Sequence, residues 1–433
     1  MIQSVLFTPV PPSLAYSSLG FHAAYQGLGS CERATLPQVE GSRARSVESG
    51  RVLSEFDCIY VSTAWELELP VLAAILRDCG IEPRRSDRPP TAPLVVAGGP
   101  QTLSNPDVLG SIADAVFVGE GDLAFGPLTR ALDSAQGRED ALDRLSRVPG
   151  TWVPAVREGQ GPPPPEKAPV HVLPARSVLV DEPNQFGNAF LVEVGRGCPR
   201  ECTFCVVRSG TRKTCFVPPE RILEAVPQTV QRVGLVGAAV SDHPKLVEIL
   251  ESLVARGSAV TLSSLRADRA TRDVIRLLRR GGLKTLTVAA DGTSDALRAD
   301  LRKGIQWEHL EKCVETAREE GMVKLRIYLM VGIPAETEDD IEECALFVRK
   351  LASRIRLSLS VSPFVPKRFT PLEKAPFAGI RTLKSRISLL RRLLRGSVKL
   401  KTVSPRTADS EWRLSHASSH GAWDLIEPLM PGP

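Results

Sequence analysis

The sequence predicts an α/β protein in two parts, a doubly wound parallel sheet followed by a partial (β/α)6 barrel. Short apolar runs alternate with amphipathic stretches on both sides of a proline-rich break, Pro162-Pro163-Pro164-Pro165, which can continue neither sheet nor helix. With 433 residues, 42% of them hydrophobic, the chain exceeds what one core holds and splits into domains. The expected division is 1–150, a linker at 151–185, a barrel at 186–396 and a C-terminal extension at 397–433.

In the first part, Phe56 to Ser62 reads as a buried strand and Glu68 to Cys79 as an amphipathic helix stopped by Gly80. Leu94 to Ala97 is a second strand running into Gly98-Gly99-Pro100, and Ala115 to Val118 a third running into Gly119-Glu120-Gly121-Asp122. Strands alternating with helices build parallel sheets, whose ligands sit beyond the strands' carboxyl ends, where these glycine turns fall. After the break, strands are expected at Phe190 to Val194, Gly234 to Gly237, Ala259 to Ser263, Leu283 to Ala289, Lys324 to Val331 and Arg356 to Val361. The helices between them are expected at Pro219 to Val233, Pro244 to Arg256, Arg272 to Arg280, Glu308 to Glu320 and Glu338 to Leu351.

The net charge of +5 conceals an asymmetry: Arg349 to Arg406 holds sixteen Lys/Arg against one acid, Glu373, while the rest of the chain has 39 basic and 49 acidic residues. This stretch is either a solvated helical face or a surface that steers a phosphate-bearing or otherwise acidic substrate. It lacks the interleaved aromatics of a nucleic-acid platform. Apolar runs fall short of the about eighteen residues of a membrane span, and Met1 opens no secretion signal, so a cytoplasmic protein is expected. Nine cysteines, an odd number, suit reduced thiols better than a disulfide framework. No P-loop is present, and the six histidines lie far apart with no hydrolase motif; His416 and His420 read as part of a terminal tail.

Chemistry concentrates in Gly197-Cys198-Pro199-Arg200-Glu201-Cys202-Thr203-Phe204-Cys205, just after the first barrel strand. Three thiolates within eight residues hold three irons of a cubane and leave the fourth open to a ligand. The alternative is a structural zinc knuckle, which needs Cys215 or His243 as a fourth ligand.

Cys-x3-Cys-x2-Cys with Phe204 before the third cysteine resembles the radical S-adenosylmethionine (radical SAM) superfamily. Several segments are similar to the subgroup with an N-terminal cobalamin (B12)-binding-like, Rossmann-like domain. They are Ser263-Ser264-Leu265-Arg266-Ala267-Asp268, Leu301-Arg302-Lys303-Gly304-Ile305, Tyr328 to Thr337 and Ser360 to Lys367, with Ser17-Ser18-Leu19-Gly20, Ala97 to Pro100 and Val118 to Gly121 before the linker. The resemblance spans roughly Val5 to Arg395. It implies a [4Fe-4S] cluster on the catalytic cysteines Cys198, Cys202 and Cys205, S-adenosyl-L-methionine on the open iron, and an electron donor such as flavodoxin or ferredoxin. Phe204 would shield the cluster, and Gly237 would approach the methionine amino group. Ser263 and Arg266 would meet the ribose and carboxylate, Asp291 would contact the ligand, and Ile333 would line the adenine side. Gly98, Gly99, Glu120 and Gly121 would face cobalamin.

Two departures stand out. The family's Ala-Pro-Glu-Ala-Gly-Ser reads Ala289-Ala290-Asp291-Gly292-Thr293-Ser294 in this chain, and residues 1–150 lack the Asp-x-His-x-x-Gly of histidine-ligated cobalamin. His22 is expected to be a packed residue. Cobalamin therefore binds without a histidine, or the domain keeps the fold and has lost the cofactor. The expected activity is reductive cleavage of S-adenosylmethionine by a cobalamin-dependent methyltransferase or related radical enzyme, acting on a small molecule, lipid or peptide. The competing function is a basic nucleic-acid-binding protein with a structural metal site.

Overall fold

The alternating pattern folds into parallel sheets in the computed structural model, which describes residues 2–37, 39, 41–157, 159–207 and 213–432. The chain divides into two compact units, Met1–Asn188 with Arg413–Pro433, and Ala189–Arg208 with Lys213–Trp412.

In the N-terminal unit the strands are β1 (Ser4–Thr8), β2 (Glu32–Thr35), β3 (Cys58–Ser62), β4 (Leu94–Gly98), β5 (Ala115–Phe117) and β6 (Thr151–Trp152). Among the described residues they form one sheet in the order β2-β1-β3-β4-β5-β6, parallel except for β6. The period-2 pattern decides which side each residue covers. Val5, Phe7, Ile59 and Val61 pack on one face with Leu69, Leu72 and Leu76 of helix Glu68–Asp78. Leu6, Cys58 and Tyr60 pack on the other with Phe21 and Leu128. Both faces are covered, as a doubly wound sheet requires, and the order reverses between β1 and β3.

The stretch that reads as a terminal tail is part of this unit's core. Trp423 and Ile426 are buried beside Leu69 and Leu72, and Asn105 donates from Nδ2 to the carbonyls of Leu414 and Ala417, each at 2.9 Å. A tryptophan and an isoleucine three residues apart share one helical face, and that spacing is the signal a tail lacks. Trp423→Ala is expected to destabilise the unit by about 3 kcal/mol, measured as a lower thermal midpoint. An unchanged midpoint would mean that the segment is peripheral.

The second unit contains β7 (Phe190–Arg196), β8 (Cys215–Phe216), β9 (Arg232–Gly237), β10 (Ala259–Leu262), β11 (Thr285–Asp291), β12 (Lys324–Val331), β13 (Arg356–Pro363) and β14 (Lys399–Thr402). Among the described residues these form two sheets, β10-β9-β7-β8 and β11-β12-β13-β14. A parallel bridge between Leu265 and Val288 joins β11 to the chain just beyond β10, and Leu265 N donates to Thr287 O at 2.9 Å. From β7 through β9, β10, β11 and β12 to β13 the strands therefore run parallel in sequence order, with helices between them.

The helix expected at Pro219 to Val233 stops at Ala225, because Pro227 forces Val226 into extended backbone; β9 then starts two residues earlier than its apolar core suggested. Among the described residues no helix is long and apolar enough to cross a membrane.

Candidate active site

The cysteine loop leaves β7 through Gly197, whose φ of 74° turns the chain away from the sheet. Thr203 N donates to Leu301 O at 3.0 Å, and Cys205 N to Cys202 O at 3.3 Å. Cys202 is buried, while Cys198 and Cys205 are partly exposed; all three thiols are free. Burial pushes the Cys198 and Cys202 thiols up, and at Cys202 the neighbouring Lys303 and Arg266 act the other way.

Ion pairs tie this loop to the ends of the neighbouring strands. Arg200 pairs with Asp242 beyond β9, whose side chain is 4% exposed and which also meets Arg269 at 3.4 Å. Arg266 grips Asp268 through Nε and Nη2 at 3.0 and 3.2 Å and donates from Nη2 to Lys303 O at 2.8 Å. Lys303 in turn reaches Asp291 at 2.5 Å. Lys303 and Arg266 of this network act on Cys202, where a thiolate-bound iron cluster would concentrate negative charge.

An apolar wall completes the site: Phe204 packs with Leu297, Leu301, Ile333, Phe364 and Met330. Gly237 ends β9 so close to β7 that a Cβ would lie 3.0 Å from Gly195 O, which only glycine tolerates without a shift. Ser263 is exposed just past β10.

Of the positions assigned from sequence, the structure thus brings Phe204 and Ile333 into one cluster, and Arg266 and Asp291 onto the turn carrying Lys303. The Arg266 guanidinium is engaged by Asp268 through Nε and Nη2 and by the Lys303 carbonyl through Nη2. Lys303, Arg298 and Glu336 were missed. Lys303 lies inside the Leu301 to Ile305 segment that carried a resemblance but no role. Arg298 is 1% exposed, and it donates to the carbonyls of Ile305 and Gly292 at 2.8 Å and stacks 3.7 Å from the Trp307 ring centroid. No sequence pattern announces a buried arginine.

The zinc alternative loses its fourth ligand. His243 is buried, with Nε2 at 2.9 Å from Val217 O and Nδ1 accepting from Lys245 N, and Cys215 directs Sγ toward Phe216 O. Among the described residues no three His, Cys, Asp or Glu side chains, the three loop cysteines included, gather closely enough to hold one metal ion. Three free cysteine side chains on one short loop, with Lys303 and Arg266 beside Cys202, suit a cluster with one cysteine sulfur per iron.

In the N-terminal unit, the positions assigned to cobalamin are partly exposed, and the unit's own packing already accounts for glycine at two of them. A Cβ on Gly99 would lie 2.4 Å from Thr63 O, and one on Gly121 3.0 Å from the Phe125 ring. Gly98 ends β4 against Phe117. Glu120 accepts from Ala168 N at 2.9 Å and donates its own N–H to Glu166 O. His22 is fully buried, with Nε2 at 3.1 Å from Tyr16 O and Nδ1 accepting from Val178 N. None of these contacts by itself points to a corrin.

A parallel strand-helix series with three cysteines in the loop after its first strand defines a radical SAM enzyme, and the chain belongs to that superfamily. Residues 192–348 match the radical SAM superfamily model, and residues 29–154 match the model for the N-terminal region of radical SAM proteins. An uncharacterized protein of Methanocaldococcus jannaschii is 29% identical over 336 residues, covering 75% of this chain and 70% of that protein. The ribosomal protein uS12 methylthiotransferase RimO of Bacteroides thetaiotaomicron is 27% identical over 37% of this chain and 40% of its own length. The cobalamin-dependent S-adenosylmethionine radical enzyme OxsB superposes with a TM-score of 0.55 at 14% identity, covering 96% of this chain and 66% of that one. The chain spans under half of the methylthiotransferase it matches and about two thirds of OxsB, and the latter likeness is one of fold.

Proposed function

We propose that this protein reductively cleaves S-adenosylmethionine at a [4Fe-4S] cluster held by Cys198, Cys202 and Cys205, and uses the product to modify an organic substrate. The observation that carries it is the placement of three free thiols on the loop after β7, against Lys303 and Arg266. The bound cluster would supply one electron to a sulfonium docked at its open iron. The protein's own residues hold and dry the site. Phe204, Leu297, Leu301, Ile333 and Phe364 exclude water beside the loop. Arg200 on Asp242 and Thr203 on Leu301 fix the loop's path, and Arg266 with Asp291 holds Lys303 toward Cys202. The electron would come from a flavodoxin- or ferredoxin-like donor.

The N-terminal unit enters this proposal as a scaffold, because its own packing already accounts for glycine at two of the positions assigned to cobalamin. Anaerobic reconstitution with iron and sulfide is expected to give brown protein, absorbing near 400 nm, that releases methionine under reduction. A colourless, zinc-loaded protein would overturn the proposal. With hydroxocobalamin present, gel filtration is expected to return corrinoid-free protein; stoichiometric co-elution would instead favour cobalamin-dependent methyl transfer.

A further inference from the structure

The sheet of the second unit carries a cationic pocket that the cluster chemistry does not use. β12 reads Lys-Leu-Arg-Ile-Tyr-Leu-Met-Val, and the period of two sends Leu325, Ile327, Leu329 and Val331 into the core, each at most 2% exposed. Lys324, Arg326, Tyr328 and Met330 take the opposite face. The register then sets Arg326 across from Ser358 and Ser358 across from Lys399, with Tyr328, Ser360 and Lys401 forming the next row. These side chains line a cavity of about 380 Å³ with no Asp or Glu in its lining.

Two features mark the cavity as built for a ligand. Lys324, Arg326, Lys399 and Lys401 have no ion-pair partner among the described residues, although three adjacent strands hold them together. Lys399 and Lys401 are exposed while Lys324 and Arg326 are half-buried, and holding four like charges along one sheet face raises a positive potential that an anion joining them neutralises. Independently, the Ser358 hydroxyl is buried in a residue only 6% exposed and has no hydrogen-bond partner. A buried hydroxyl left unpaired is unfavourable by about 1–3 kcal/mol, and it lies in the wall of this pocket.

We propose that this pocket binds the phosphate groups of a small phosphorylated substrate, of the pyrophosphate or bisphosphate class. Four cations match two dianionic phosphates, and the hydroxyls of Ser358, Ser360, Tyr328 and Thr402 supply donors that tetrahedral oxygens use. On the same face of β12, two residues beyond Tyr328, Met330 packs against the apolar cluster that also holds Phe204. The cavity is the size of a small molecule, and Tyr328 is its one aromatic side chain, which disfavours a stacked nucleic-acid strand. The basic stretch at Arg349 to Arg406 thus contributes two lysines to a site, while much of its remaining charge lies on helix Gly379–Leu393.

The inference rests on the radical SAM proposal only for the place of the reaction, since phosphate binding needs no cluster. Titration calorimetry of the full chain with pyrophosphate, with and without the reconstituted cluster, is expected to show saturable binding of one equivalent in both forms. Lys399→Gln with Lys401→Gln is expected to weaken it about tenfold or more, and Ser358→Ala about threefold. Lys384→Gln with Arg392→Gln, on the helix of the same basic stretch, is expected to leave it unchanged. Circular dichroism and the thermal midpoint check that each variant is folded, and Lys401→Gln alone, at an exposed edge strand, serves if the double variant is not. Absence of saturable binding, equal loss in both double variants, or tighter binding of a short single-stranded RNA that depends on the helix cations would each overturn the proposal.

Discussion

Cys202→Ala is expected to abolish the absorption near 400 nm, to lower bound iron from about four per chain toward zero and to reduce S-adenosylmethionine cleavage by more than about 100-fold. The reason is local. Cys202 is the buried cysteine of the loop, with burial raising its thiol and Lys303 and Arg266 opposing that, and its removal leaves the loop only two thiols for three irons. The matched control is Cys313→Ala. Burial pushes the Cys313 thiol, like those of Cys31 and Cys344, up to about 12, so these cysteines stay protonated and pack as small apolar groups. Cys313→Ala is expected to keep full iron content, with at most a modest loss of stability. Iron analysis and methionine release measured on both variants give the comparison, and a Cys202→Ala protein that retains its cluster would remove the loop from the chemistry.

Much of this was legible in the sequence because it depends on short-range pattern. The alternation at Val5, Leu6 and Phe7, or at Leu325 to Val331, determines face and burial without knowledge of partners, and the cysteine spacing identifies a loop before its surroundings are known. Groups that matter through distant partners were not legible. Lys303 is one lysine among many until the fold brings it to Asp291, and Arg298 reads as a solvated helix residue although it is almost wholly buried. Lys399 and Lys401 sat within a charge run, but their meaning comes from β14 pairing with β13, a register that no local pattern fixes. The glycine turns of the N-terminal unit are a different case. They sit at carboxyl ends, as the pattern suggests, but close backbone approach to Thr63 accounts for Gly99 without any ligand.

Glu336 extends the same lesson to stability. Its side chain is fully buried, accepting from Thr293 Oγ1 at 2.8 Å, from Gly332 N at 2.5 Å and from Arg386 Nη1 at 2.9 Å; Arg386 also donates to its carbonyl. One carboxylate thus ties the chain after β11, the turn after β12 and helix Gly379–Leu393 together, and that turn carries Ile333 beside Phe204. Glu336→Ala leaves a largely buried guanidinium without its anion and two further donors without an acceptor. It is expected to lower stability by about 3–5 kcal/mol, measured by urea unfolding. Glu336→Gln keeps an acceptor and is expected to lose only about 1–2 kcal/mol. The two variants also differ in pH dependence. Burial raises the Glu336 carboxyl above its ordinary 4.5, so the folded chain holds this proton to higher pH than the unfolded chain does. The stabilisation from holding that proton is fully present below 4.5 and is lost as pH rises through the raised value, a slope that Glu336→Gln removes, while the ion pair with Arg386 belongs to the ionised form. If Glu336→Ala unfolds at the same urea concentration as the parent, or if the pH slope survives in Glu336→Gln, the carboxylate is not the tie that holds Ile333 against the cysteine loop.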